Sequence, residues 1–172
     1  MPYFDGPMTR KILYLDIDGV LHPDEAFLDA KGNVYLRGPG QLLEHAPILS
    51  EILMPHPELR IVLSTSWVRL KSYSWVCRRF PEGLRERVIG STWHSRYARD
   101  SVELEWWSEA TRYQQILRDI KQRSPSHWIA IDDDVSGWPE TELERVVACE
   151  PMRGLASAAT RAELAKKLEG MF

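Results

Sequence analysis

Two carboxylates, Asp16 and Asp18, stand one residue apart at the end of the apolar run Ile12-Leu13-Tyr14-Leu15, and Gly19 follows at once. Buried strands seldom carry acids unless these are paired or bind a metal. Residues i and i+2 extend toward the same side where a strand ends and the chain turns. One carboxylate can then attack an electrophile while its neighbour exchanges protons, with a cation holding both. By themselves the two residues also fit a strand followed by an ordinary Asp-Gly turn. Other positions must decide.

Two further apolar runs end in groups of matching chemistry. Arg60-Ile61-Val62-Leu63 leads into Ser64-Thr65-Ser66, and Trp128-Ile129-Ala130-Ile131 leads into Asp132-Asp133-Asp134. A hydroxyl and backbone N–H groups at Ser64 to Ser66 can cradle phosphate oxygens. Asp16, Asp18, Asp132 and Asp133 together repel one another without a cation. Oxygen ligands, with few histidines and no cysteine nearby, favour Mg²⁺ over Zn²⁺. Such a metal would offset the approach of a phosphate dianion to an Asp nucleophile. Arg112, near the start of the helix before the fourth strand, is the cation best placed to complete the charge balance. Lys121 and Arg123, at that helix's far end, read as solvated.

The elements that must position these groups alternate. Strands are expected at Ile12–Leu15, Arg60–Leu63, Arg87–Gly90, Trp128–Ile131 and Arg145–Cys149, with a small hairpin of Ala26–Leu28 and Val34–Leu36 around Gly32-Asn33. Helical spacing covers Leu42–Leu53, which Pro47 should kink or restart. Further helices are expected over Val68–Phe80, over Ala110–Gln122 with Tyr113, Ile116, Leu117 and Ile120 inward, and after a capping box at Thr160–Glu163. Ser95–Trp107 reads as loop. The pattern implies an α/β fold with a mainly parallel five-stranded sheet covered on both faces. Ligands of such sheets bind beyond the C-terminal strand ends, where all three groups fall.

The chain has 172 residues, 44% hydrophobic and 27% charged, with a net charge of −3. That fits one globular domain over residues 11–172 behind an N-terminal extension of residues 1–10 that lacks the apolar core of a signal peptide. The charge argues against a strongly basic nucleic-acid-binding surface. Cys77 and Cys149 are too few for a disulfide framework and read as free thiols of a cytoplasmic protein. No apolar run reaches membrane-spanning length.

The sequence resembles the haloacid dehalogenase (HAD) superfamily of phosphatases and phosphotransferases. Asp16-Ile17-Asp18-Gly19-Val20 is similar to its first motif, which implies Asp16 as nucleophile and Asp18 as acid/base. Leu63-Ser64-Thr65-Ser66 is similar to the second, with the phosphate-binding hydroxyl on Thr65 or Ser64. Arg112 takes the place of the third motif's usual lysine. Ile131-Asp132-Asp133 is similar to the fourth and supplies the acidic metal ligand from Asp132 or Asp133. More narrowly, Leu63–Trp67, the Ile89-Gly90-Ser91-Thr92 turn and Arg112 resemble the HAD domain associated with RNA-repair proteins, and the paired Asp132-Asp133 resembles the phosphatase half of polynucleotide kinase–phosphatases.

The resemblance implies a three-layer, Rossmann-like fold. It also implies Mg²⁺-dependent hydrolysis of phosphomonoesters through an aspartyl-phosphate. The segments between Asp18 and Ser64, and between the third strand and Arg112, leave no room for a cap domain. A capless or minimally capped site is open to a phosphorylated small molecule, a nucleotide or a nucleic-acid end, and a homodimer partner could exclude water in place of a cap. Trp67, Trp93, Trp106, Trp107 and Trp138 fall in or near loops at the expected active edge, as roof or as stacking platforms for bases. His22 and His94 are loop hydrogen-bonders or substrate contacts, and Arg69 is close enough to Ser66 to assist with phosphate. A small-metabolite phosphatase and a non-catalytic phosphate-binding module are the alternatives.

Overall fold

A computed structural model of the chain describes residues 10–171. The expected N-terminal extension therefore lies, apart from Arg10, outside the described residues. The sheet is built from β1 (Lys11–Leu15), β4 (Arg60–Leu63), β5 (Val88–Ser91), β6 (His127–Asp132) and β7 (Val146–Ala148). Its order is β5-β4-β1-β6-β7 with every pairing parallel. A separate antiparallel pair, β2 (Ala26–Leu28) and β3 (Val34–Leu36), forms the expected hairpin.

Period-two alternation along the central strands builds two cores. Leu13, Leu15, Ile61, Leu63, Ile129 and Ile131 face one side, with α1 (Ala46–Leu53) and α7 (Ala158–Glu169). Ile12, Tyr14, Val62 and Ala130 face the other and meet Ile116 of α6 (Arg112–Arg123). A strand buried on both faces has no polar side, which is why these runs read as continuously apolar.

The register decides where the acids go. Leu15 pairs with both Leu63 and Ile131, so the next residues along, Asp16, Ser64 and Asp132, come level on three adjacent strands. Each continues the parity of Tyr14, Val62 and Ala130, and so turns toward the α6 side. From β1 the chain winds first to β4 and β5 and only then to β6 and β7. The crevice at β1 and β6 is thus the switch point where ligands of open α/β sheets bind.

Several elements differ from the sequence reading. Pro47 does not kink a helix begun at Leu42; it occupies the first turn of α1, where a missing N–H costs nothing. The single helix expected over Val68–Phe80 is two, α2 (Trp67–Leu70) and α3 (Tyr73–Cys77), because the Ser72 hydroxyl accepts from Trp75 N–H and starts a new helix; α4 (Glu82–Arg85) follows. The expected loop at Ser95–Trp107 is a 3₁₀ turn, Ser95–Arg99, and then α5 (Ser101–Glu109), capped by Asp100. Ser157, not Thr160, caps α7, and Thr160 is buried inside it. Ile89 to Ser91 continue β5 and are not a turn.

Among the described residues, the segment from β1 to β4 holds the hairpin and α1, and the segment from β5 to α6 holds the Ser95–Arg99 turn and α5, so neither carries a cap domain. No described helix is long and apolar enough to cross a membrane.

Candidate active site

At the C-terminal edge of the sheet lies a cavity of about 430 Å³ lined by Asp16, Asp18, Thr65, Ser66, Arg112, Asp132 and Asp133, among others. Carboxylate oxygens of Asp16, Asp132 and Asp133 lie within 4.8 Å of one another. Arg112, the first residue of α6, reaches across them: Nε stands 3.2 Å from Asp132 Oδ2 and Nη2 3.8 Å from Asp16 Oδ1. Its backbone is fixed by a capping box, in which Gln114 N–H donates to Thr111 Oγ1 and Thr111 N–H donates to Gln114 Oε1. Arg112 Nη1 also donates to Gln115 Oε1 at 3.2 Å.

Three acids against one guanidinium leave excess negative charge in a poorly hydrated place. Burial pushes the Asp16 carboxyl above the ordinary carboxylate range, with Arg112 pulling against it. Asp132 is pushed well up, first by burial and then by Asp16. Asp133 is pushed up to about 7 by burial, Asp16 and Asp24. The same excess suits a divalent cation, and the all-carboxylate donor set suits a hard one. The residues present therefore fit a Mg²⁺-type ion held by Asp16, Asp132 and Asp133.

Gly19 makes the convergence sterically feasible. Its φ is +70°, and a Cβ there would lie 2.3 Å from Asp133 Oδ2. Only glycine allows both this backbone and this approach. Asp132 is oriented by Asp134 N–H, which donates to its Oδ1 at 3.0 Å.

Asp18 takes a different place from that expected of a metal ligand. Its side chain lines the cavity but is not in the acidic triplet. Instead Oδ1 lies 2.9 Å from His22 Nε2, and Oδ2 accepts from Trp67 Nε1–H at 2.8 Å. On β4's side, Thr65 Oγ1 accepts from Trp67 N–H at 3.3 Å, which leaves its own hydroxyl proton to donate into the cavity. Ser64 Oγ is buried, lacks a partner and is not in the lining. Ser66 is exposed at the cavity mouth with Arg69, whose guanidinium stands 5.2 Å from the Trp93 ring centre.

The tryptophans separate. Trp93 and Trp107 are buried, pack edge-to-face at 5.2 Å and wall the cavity. Trp67 is buried and is not in the lining, and Trp106 packs on Trp107. Trp138 is not at the active edge; it sits in the second core with Tyr113 and Trp128. His94 packs against Tyr97 outside this cavity's lining.

Arg123 is not solvated as expected. Its Nε donates to buried Asp119 at 2.8 Å, and Asp119 also accepts from Tyr14 OH at 2.8 Å. The i, i+4 Asp-Arg spacing was visible in the sequence, but the Tyr14 partner, 105 residues away, was not.

A parallel sheet with acids from β1 and β6, hydroxyls after β4 and an arginine from α6 on one edge defines a HAD-type site. The chain belongs to the family described as the HAD domain in Swiss Army Knife RNA repair proteins, whose model matches residues 12–160. It is thereby a member of the HAD superfamily of hydrolases, which are generally phosphatases. Comparison with curated proteins gave no match, and neither did comparison with solved structures.

Proposed function

We propose that this protein is a Mg²⁺-dependent phosphomonoesterase that works through an aspartyl-phosphate on Asp16 and acts on nucleic-acid ends or nucleotides in the cytoplasm. The observation that carries the reading is the level alignment of Asp16, Ser64 and Asp132 on adjacent parallel strands, with Arg112 bridging two of the acids. Mg²⁺, if bound, would be held by Asp16, Asp132 and Asp133 and would offset charge as a phosphate dianion approaches the nucleophile.

The chain's own groups do the rest. Thr65 Oγ and the Arg112 guanidinium bind phosphoryl oxygens. An Asp16 carboxylate oxygen attacks phosphorus, the bond to the leaving oxygen breaks, and Asp18 donates a proton to that oxygen. In the second half Asp18 takes a proton from water, the water oxygen attacks phosphorus, and the bond to Asp16 breaks, releasing inorganic phosphate.

The lack of a cap among the described residues supports a substrate too large to be enclosed, and the family's description supports a nucleic-acid end. Release of inorganic phosphate from 3′- and 5′-phosphorylated oligonucleotides, mononucleotides and sugar phosphates, with Mg²⁺ and with a chelator, tests this. The expected result is Mg²⁺-dependent release that is fastest on oligonucleotides. Faster turnover of sugar phosphates would favour a small-metabolite enzyme, and tight phosphate binding without turnover a binding module.

A further inference from the structure

Asp18 is held by two groups that the proposed chemistry does not otherwise use. His22 is fully buried, with 0% exposure, although it lies in a loop and carries two polar nitrogens. Its Nδ1 accepts from Leu43 N–H at 3.1 Å, which leaves the ring proton on Nε2. That Nε2 lies 2.9 Å from Asp18 Oδ1. Trp67, buried at the start of α2, donates its indole N–H to the other oxygen, Oδ2, at 2.8 Å. The two rings pack on each other at 5.4 Å, and Trp67 packs in turn on Trp75. Each carboxylate oxygen thus has its own donor, and each donor is anchored at a second point.

We infer that His22 and Trp67 are positioning residues for the acid/base Asp18, fixing its carboxylate toward the leaving-group side of the cavity and away from the Asp16, Asp132 and Asp133 triplet. This rests on the reading of Asp18 as acid/base. Two donors at opposite oxygens remove the carboxylate's rotational freedom, and a general acid misplaced by about an ångström loses on the order of 10²-fold in rate. They also explain why Asp18 stays apart from three acids close by: a side chain with both oxygens satisfied gains nothing by joining them.

Leaving-group dependence tests this, because a proton donor matters when the leaving oxygen is a poor one and little when it is a good one. The wild type is compared with Asp18→Asn, His22→Gln, His22→Asn and Trp67→Phe on a nucleoside monophosphate, whose leaving group is a sugar hydroxyl, and on dinitrophenyl phosphate, whose leaving group needs no proton. Gln keeps an N–H near the Nε2 position but loses the Leu43 contact; Asn keeps the Leu43 contact but does not reach Asp18. Phe keeps the packing and removes the indole N–H.

The expected result is that Trp67→Phe and His22→Asn lower kcat/KM on the nucleotide about 10-fold or more and change kcat/KM on dinitrophenyl phosphate only slightly, because kcat/KM reports phosphoryl transfer to Asp16 and not the later hydrolysis step that both substrates share. His22→Gln keeps more nucleotide activity than His22→Asn although it melts no higher. Equal losses of kcat/KM on both substrates, or activity that simply follows melting temperature, would overturn the positioning role. If Asp18→Asn itself shows no leaving-group dependence, or the wild type hydrolyses neither compound, the acid/base reading fails first and takes the proposal with it.

Discussion

Asp16 is 5% exposed at the end of β1, and the acids around it give each neighbouring residue a narrow tolerance. Gly19 shows this most directly. Alanine there would need a left-handed backbone and would push its Cβ into Asp133. Gly19→Ala should cost about 1–3 kcal/mol and weaken Mg²⁺ binding, read by denaturant melts and a metal titration. Gly83, in α4, has open space where a Cβ would stand, with no atom within 4 Å, and Gly83→Ala should be neutral or stabilising by about 0.5–1 kcal/mol. At this scale the residue types were legible. Asp16, Asp132, Asp133 and the Ser64–Ser66 hydroxyls stand out at strand ends and Arg112 at a helix start, and Asp16, Thr65, Ser66, Arg112, Asp132 and Asp133 all line one cavity. The posture of Asp18 was not legible. It depends on an indole 49 residues away, which no local pattern records.

Among the elements, the strands were readable because burial on both faces forces continuous apolar runs bounded by polar turns. The helix α5 was not, because it carries no broad apolar stripe: Trp107 is its buried residue, and exposed or half-buried side chains surround it. A signal was present nonetheless. Asp100 followed three residues later by Glu103 is an N-terminal capping pattern, and Asp100 Oδ1 accepts from Val102 N–H at 2.9 Å. The helix holds Trp107 against Trp93 and Tyr97, and Glu103 ties it to Arg118 of α6. Asp100→Ala should therefore destabilise the protein by about 1 kcal/mol, lowering Tm by about 2–4 °C. Because Trp107 walls the cavity, KM should rise more than kcat falls, which steady-state kinetics on a phosphorylated oligonucleotide would show.

For the whole molecule, the acidic edge couples stability to pH and metal. In the metal-free protein Asp133 is pushed up to about 7, and Asp16 and Asp132 are also raised. Between about pH 4 and about pH 7 the folded state holds more protons at these carboxyls than the unfolded chain does. Their contribution to stability is full below about pH 4 and is lost as pH rises through about 7. Mg²⁺ binding to the ionised acids should reverse this. With chelator, Tm is expected to fall by several degrees from about pH 5 to about pH 8; with saturating Mg²⁺ it should stay level or rise. A chelated protein whose Tm rises over that range would contradict the buried-acid reading.

The roles given to Asp16 and Asp18 meet in a single acid-quench measurement. Protein mixed with a phosphate-labelled oligonucleotide and Mg²⁺ should carry label that hydroxylamine removes, the signature of an acyl phosphate. Asp16→Asn should carry none, and Asp18→Asn should carry more than wild type whenever its label forms at all, since release of the phosphate then lacks a base. Turnover by wild type without any protein-bound label, or label that persists in Asp16→Asn, would contradict an aspartyl-phosphate on Asp16.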